Sequence, residues 1–130
     1  MGITVLLDTH VLLWALLEPD KLSTTARDLI VDRETQLVVS AATAWEIATK
    51  FRIGKLPEAG AVIANYAAHL ETLDAAEVPI LSAHALLAGT FEVDHKDPFD
   101  RMIAAQAIFT ATPVVTRDWA FQLFPCHVVW

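Results

Sequence analysis

The chain has 130 residues, a net charge of −7 at pH 7 and a pI near 5.0, and 55% of its residues are hydrophobic. This length and hydrophobic content fit a single domain over residues 1–130 that buries a sizeable core. The acidic balance excludes nucleic-acid binding by bulk positive charge, because neutralising phosphates requires clustered Lys and Arg. Any such binding must therefore depend on local charge or on metal ions.

The composition also indicates a compartment. Cys126 is the only cysteine, which excludes an internal disulfide and fits a reducing cytoplasm. Asp8 interrupts the first apolar run before it reaches the length of a signal-peptide core. No uninterrupted apolar stretch approaches the roughly 20 residues needed to cross a bilayer. We therefore expect a cytoplasmic protein without a membrane partner.

The amino-terminal half alternates between strand and helix patterns. The run from Ile3 to Leu7 is typical of a parallel strand buried on both faces, and Asp8 stands at its carboxyl end. The following residues predict a short buried helix over 11–17, a helix over 23–33 and a brief strand over 37–39. A helix capped by Ser40 is predicted over 41–51, with Ala44, Ile47, Ala48 and Phe51 on one face, and another helix over 59–73.

The alternation continues to the end of the chain. Residues 77–80 predict a strand at a sheet edge, because Pro79 cannot donate to a strand ladder. A short helix over 82–89 is followed by one that Asp97 and Pro98 open and that runs to about Ala111. A strand over 113–116, a helical turn over 118–121 and a strand over 127–130 complete the series. Alternating strands and helices predict a three-layer α/β/α fold around a mostly parallel sheet.

Four carboxylates occupy comparable positions in this framework. Asp8 and Asp118 follow strands, while Glu46 and Asp100 lie near the starts of helices that follow strands or loops. Strand ends and the first turns of following helices share one rim of such a sheet, so all four can face one cleft. Two carboxylates about 4 Å apart repel by roughly 4 kcal/mol at an effective dielectric constant near 20. A divalent cation removes that cost, and oxygen ligands suit Mg²⁺ or Mn²⁺, whose waters support attack on phosphorus.

Each acid also has a simpler interpretation when taken singly. Asp8, Asp97 and Asp118 can cap the helices that follow them, and Glu46 can face a helix dipole. Asp97 is best interpreted as a cap. The shared position in strand-to-helix order favours a joint role for the remaining four acids, which are Asp8, Glu46, Asp100 and Asp118.

Basic and hydroxyl residues surround these acids. Lys50, Arg101 and Arg117 are candidates to bind a phosphodiester backbone, although Lys50 can equally pair with Glu46 at i,i+4. Thr9 and Thr116 are supporting candidates, with a plain turn hydrogen bond favoured for Thr9. His10 stays unassigned, and Trp14, Trp45 and Trp119 are expected in the core rather than as stacking platforms.

Four segments carry these features together. They are Leu6-Leu7-Asp8-Thr9-His10, Ala44-Trp45-Glu46-Ile47, Asp97-Pro98-Phe99-Asp100-Arg101-Met102-Ile103-Ala104-Ala105-Gln106-Ala107 and Thr116-Arg117-Asp118. The set resembles the PIN domain family, and more closely the toxin ribonucleases of bacterial VapBC toxin–antitoxin pairs. The resemblance spans nearly the whole chain, and its third segment is the most specific.

The resemblance implies a Rossmann-like α/β/α fold and Mg²⁺- or Mn²⁺-dependent cleavage of RNA. Mapped by motif, the metal site and catalytic residues are Asp8, Glu46, Asp100 and Asp118. Asp100 is preferred to Asp97 because it stands three residues before Ile103, and Thr116 falls where the family often has a supporting hydroxyl. The family also implies a homodimer inhibited by a VapB-type antitoxin. A non-catalytic module that holds RNA or an antitoxin is the alternative, and the sequence does not identify the RNA.

Overall fold

A five-stranded, all-parallel sheet lies at the centre of the computed structural model, which describes residues 2–130. Met1, which the predicted domain includes, lies outside the described residues. The strands are β1 (Thr4–Leu7), β2 (Gln36–Ser40), β3 (Ala75–Val78), β4 (Val114–Val115) and β5 (Val128–Val129). They are arranged in the order β3-β2-β1-β4-β5, so β1 is central and the chain reverses its winding direction between β1 and β4.

The central strand is apolar throughout because both of its faces are covered. Val5 and Leu7 point into one core cluster with helices from the first half of the chain, and Leu6 points into a second cluster with Ile103 and Phe121. All five of these side chains are at most 1% exposed. This alternation around a continuous hydrophobic strand confirms the predicted three-layer arrangement.

Seven α-helices connect and flank the strands within residues 2–130. They are α1 (Thr9–Leu17), α2 (Thr24–Val31), α3 (Ala41–Arg52), α4 (Gly60–Ala64), α5 (Tyr66–Thr72), α6 (Ser82–Thr90) and α7 (Pro98–Phe109). Short 3-10 turns cover Pro19–Lys21, Pro57–Ala59 and Trp119–Leu123. None of the helices in the described range has the length and apolar character needed to span a bilayer.

Local side-chain caps set the helix starts that matter for the site. Asp8 accepts from the backbone of Thr9 at the start of α1, and Ser40 accepts from Ala42 at the start of α3. Asp97 accepts from two backbone N–H groups at the start of α7, where Pro98 takes the first helical position. The predicted capping roles of these residues are therefore confirmed.

Three predicted elements differ in detail. The single helix expected over 59–73 is divided at Asn65 (φ −135°) into α4 and α5. The edge strand begins earlier than expected and ends at Val78, since Pro79 cannot continue the ladder. In α3 the buried side consists of Ala42, Thr43, Glu46 and Ile47, whereas Ala48 and Phe51 of the expected apolar face are exposed.

Candidate functional site

Asp8 leaves the central strand at the point where the winding direction changes. Its Oδ1 accepts from the Thr9 backbone at 2.7 Å, and its Oδ2 accepts from the Thr116 hydroxyl at 2.8 Å across the β1–β4 boundary. The pKa of Asp8 is raised to about 6, mainly by burial. The hydrogen bond from Thr116 lowers this pKa, and the negative charge of Glu46 raises it. The carboxyl is therefore held in place but is costly to ionise.

Glu46 enters the same region from the second turn of α3. It is 2% exposed, and its Oε2 accepts a hydrogen bond from the Lys50 ammonium one turn later. Nothing among residues 2–130 donates to its Oε1, which is buried. A buried carboxylate with one unpaired oxygen is rare in proteins, because desolvating that atom without a partner is costly.

Asp100 comes from the first turn of α7 and is 7% exposed. His95 Nε2 donates to its Oδ2 at 2.8 Å. Burial raises the pKa of Asp100 to about 7 against that hydrogen bond, and the charges of Asp8, Asp97 and Glu46 raise it further. Asp97 itself is occupied as the helix cap, as predicted.

Asp8, Glu46 and Asp100 are therefore brought together. The charge of Glu46 acts on both aspartates, and Asp8 and Asp100 interact with each other. Asp8 directly follows β1, and Glu46 and Asp100 lie on α3 and α7, so the three residues meet at the carboxyl edge of the sheet. Buried carboxyls arranged in this way favour whatever positive charge enters between them, whether a proton or a cation.

Asp118 lies at the margin of this group. It is exposed, and it caps the 3-10 turn after β4 through a bond from the Ala120 backbone to its Oδ1. Thr116 connects it to Asp8, since the same hydroxyl that donates to Asp8 accepts from the Asp118 backbone at 3.0 Å. Asp8 and Asp118 also line a cavity of about 160 Å³ with His10 and Arg117.

The acids are not arranged as a finished metal-binding shell. Within residues 2–130, no three acidic, His or Cys side chains are grouped closely enough to hold an ion as they stand. Each buried acid is instead held by a neighbour: Thr116 for Asp8, Lys50 for Glu46 and His95 for Asp100. The donor set still fits a hard divalent cation, because it offers carboxylate oxygens and includes the unpaired Oε1 of Glu46.

Arg101 has a different task from the phosphate binding expected of it. Its Nε donates to the carbonyl of Ala88 at 2.8 Å, and its Nη2 donates to Phe91 at 2.7 Å. Its Nη1 donates to Val93 at 3.1 Å and to His95 at 2.9 Å. Because a guanidinium has only five N–H donors, four of them are already used. Arg101 therefore holds the loop between α6 and α7 rather than facing a ligand.

The other two basic candidates behave differently. Lys50 makes the i,i+4 pair with Glu46; burial opposes its charge, but Glu46, Asp97 and Asp100 raise its pKa overall. The exposed Arg117 lies over the ring of Trp14, 5.4 Å from the ring centroid, and remains beside the cavity that Asp8 lines. Lys50 and Arg117 therefore remain at the site, although Lys50 is already engaged.

The two hydroxyl candidates have different hydrogen-bond partners. Thr116 contacts Asp8 directly, whereas the buried Thr9 hydroxyl pairs with Thr43 at 3.0 Å and ties α1 to α3. The turn hydrogen bond favoured for Thr9 comes from its backbone. His95 was missed by the sequence reasoning; the available signal was a histidine placed just before the Asp97-Pro98 helix start.

The tryptophans do not share one environment. Trp14 is half-buried against the first core cluster, but Trp45 is 61% exposed and Trp119 is 70% exposed. The core expectation is therefore wrong for these two. Trp45 packs edge-on against Phe99 at 4.8 Å between ring centroids and borders an apolar cavity of about 190 Å³ beside Met102.

Comparison with known proteins agrees with this architecture. The family model described as the PIN domain matches residues 5–125. VapBC2 from Rickettsia felis, solved bound to a DNA fragment from their promoter, is similar over 98% of both chains, with 13% identity and a TM-score of 0.69. FitAcB from Neisseria gonorrhoeae is similar over 97% of this chain and 96% of that one, with 19% identity and a TM-score of 0.54. No curated protein matches the sequence.

Proposed function

Because this chain belongs to the PIN domain family, we propose that it is a Mg²⁺- or Mn²⁺-dependent endoribonuclease and the toxin of a type II toxin–antitoxin pair. The observation that carries the proposal is the convergence of Asp8, Glu46 and Asp100, buried together at the carboxyl edge of a parallel sheet. Such a cluster is costly unless a cation offsets its charge. The contribution of these acids by three separate parts of the chain supports a site rather than chance.

The chain's own residues would divide the work as follows. Asp8, Glu46 and Asp100 would hold the cation, and Asp118 would complete the site or serve a second, weaker one. When bound, a divalent ion neutralises charge on a phosphodiester and activates water for attack on phosphorus. Thr116 fixes one oxygen of Asp8, and His95 fixes one oxygen of Asp100. Arg117 and Lys50 would contact the phosphate backbone.

The partners belong to the same proposal. The single domain over residues 1–130 would act in the cytoplasm as a homodimer and be inhibited by a small VapB-type antitoxin whose tail covers the acidic cleft. The structural likeness to VapBC2 and FitAcB supports this assignment through the fold.

One observation favours a second candidate, a PIN-like module that binds RNA or an antitoxin without cutting. Within residues 2–130 the acids are held by Thr116, Lys50 and His95 instead of forming a finished shell. In a protein whose cleft binds a ligand but no cation, neighbouring side chains would hold the acids in the same way. The two candidates differ in whether the acids bind Mn²⁺ and in whether RNA is cut.

The test is RNA cleavage with Mg²⁺ or Mn²⁺ by the wild type and by Asp8→Asn. Asparagine keeps the helix cap at this position and removes the charge. We expect cleavage to fall by about 100-fold or more, at least as much as losing a residue that supports a metal ligand. Asp28→Asn, an exposed exchange on α2, is the matched control and should cut normally.

Three results are informative. Equal cleavage by the wild type and by Asp8→Asn removes Asp8 from the mechanism. A wild type that binds RNA but neither cuts it nor binds millimolar Mn²⁺ supports the binding module. A smaller loss for Asp118→Asn than for Asp8→Asn is expected, because Asp118 is exposed at the margin of the group.

A further inference from the structure

The pair between Lys50 and Glu46 differs from the other lysine–glutamate pair of the structure. Lys21 and Glu18 are each about half exposed, at 49% and 50% of their side-chain surface. For Lys50 and Glu46 these values are 23% and 2%. Exposed ion pairs contribute little to stability. A partly buried lysine stays charged only where a nearby carboxylate offsets the cost of removing its ammonium from water.

Lys50 faces more than one acid. Its charge interacts with Asp97 and Asp100 at the start of α7 as well as with Glu46 on its own helix. Glu46 and Asp100 in turn interact with Asp8. Lys50 is thus a counter-ion to acids of two helices rather than a surface lysine that happens to reach one neighbour.

The two oxygens of Glu46 are in different states. Oε2 is taken by the Lys50 ammonium, while Oε1 is buried and without a partner among residues 2–130. A cation entering the cluster meets both a carboxylate that is half engaged and the positive charge that engages it. Two positive charges at one carboxylate compete directly for it.

We propose that Lys50 is the internal counter-ion of this site and sets its metal affinity, holding Glu46 until a divalent cation displaces it. The inference rests on the proposed function, because it concerns the same acids. Lys50 stabilises the metal-free protein and so weakens metal binding. Removing its charge raises the free energy of the metal-free state more than that of the metal-bound state, and affinity for the cation rises.

The experiment is calorimetric titration of Mn²⁺ into the full chain at pH 8. Lys50→Met keeps the length of the aliphatic stem and removes the charge. We expect its Kd for Mn²⁺ to fall about tenfold relative to the wild type, which corresponds to about 1.4 kcal/mol. Lys55→Met removes an exposed lysine just beyond α3 and should leave the Kd unchanged. Lys50→Arg keeps the charge and should keep the weak wild-type affinity.

Thermal unfolding provides a second measurement that does not depend on cleavage. Lys50→Met should melt lower than the wild type in EDTA, and Mn²⁺ should raise its Tm by more than it raises that of the wild type. If the Met variant does not fold in EDTA, Lys50→Gln, which keeps a polar group near Glu46, replaces it in both measurements.

The outcomes separate this inference from the proposed function. A wild type that binds Mn²⁺ and cuts RNA, with no gain of affinity in Lys50→Met, overturns the counter-ion role alone. Binding by Lys50→Met where the wild type shows none supports it. Absence of Mn²⁺ binding in both proteins overturns the counter-ion role and the metal-dependent function together.

Discussion

Replacing Arg101 with methionine tests whether this residue holds a loop or binds a ligand. Its guanidinium donates to the carbonyls of Ala88, Phe91, Val93 and His95 at 2.7 to 3.1 Å. Methionine keeps the apolar stem and removes every donor. We expect the variant to be less stable and the loop that carries His95 to become less ordered.

The magnitude follows from the number of bonds. A hydrogen bond to a charged group contributes about 1.5 to 3 kcal/mol net when buried. The four carbonyls are only partly buried, so water can replace some of the lost donors, and about 1 kcal/mol per bond is the appropriate scale. The loss is then about 3 to 5 kcal/mol, or roughly 10 to 20 °C in Tm for a chain of this size.

The assay is urea and thermal unfolding followed by circular dichroism, with Arg117→Met as the matched control. Arg117 is exposed and packs on Trp14, so the same exchange there should cost about 0.5 to 1 kcal/mol. Equal losses for the two variants would contradict the loop-holding role. A stable Arg101→Met protein with weakened RNA binding would restore the phosphate-binding interpretation.

Two further predictions concern the buried acids. The pKa of Asp8 is about 6 and that of Asp100 about 7, so the metal-free folded state holds protons more tightly than the unfolded chain. The free energy of unfolding should therefore be highest below about pH 4 and should fall as the pH rises through 7. Asp8 alone should account for a loss of about 3 kcal/mol. Urea unfolding in EDTA between pH 4 and 8 measures this, and a profile that is not flattened by Asp8→Asn would argue against it. Thr116→Val should cost about 1 to 3 kcal/mol and raise the pKa of Asp8 further, because the hydroxyl bond holds that pKa down. Carboxyl NMR titration follows the pKa, and Thr90→Val, whose hydroxyl bonds only helix carbonyls, is the control that should leave it unchanged.

Local chemistry explains why much of the fold was predictable. The caps at Ser23, Ser40 and Asp97 act within three residues of themselves, so the helix starts are legible in the sequence. The break at Asn65 was not, because the alanine-rich stretch around it favours one continuous helix and the division depends on packing.

Helix α3 shows where periodicity failed. The most apolar set on that helix includes Ala48 and Phe51, yet the buried side carries Thr43 and Glu46. A hydrophobic pattern selects the apolar face, whereas here polar groups face inward where a site is expected. Such conflicts between local pattern and burial concentrate at functional positions.

Long-range hydrogen bonds account for the rest. Position relative to strand ends was enough to nominate Asp8, Glu46 and Asp100. The partners that hold them were harder to find: His95 and the loop-holding Arg101 depend on how the loop between α6 and α7 folds back. No spacing in the sequence specifies that path.

The hydrogen bond between Thr116 and Asp8 joins residues 108 positions apart. Thr116 directly follows strand β4, which is hydrogen-bonded to one side of the central strand. During synthesis the chain has made Asp8 long before it makes the segment that fixes this carboxylate. The acidic pocket therefore cannot be complete before Thr116 has been made, and a product truncated before that residue carries Asp8 without the hydroxyl that orients it.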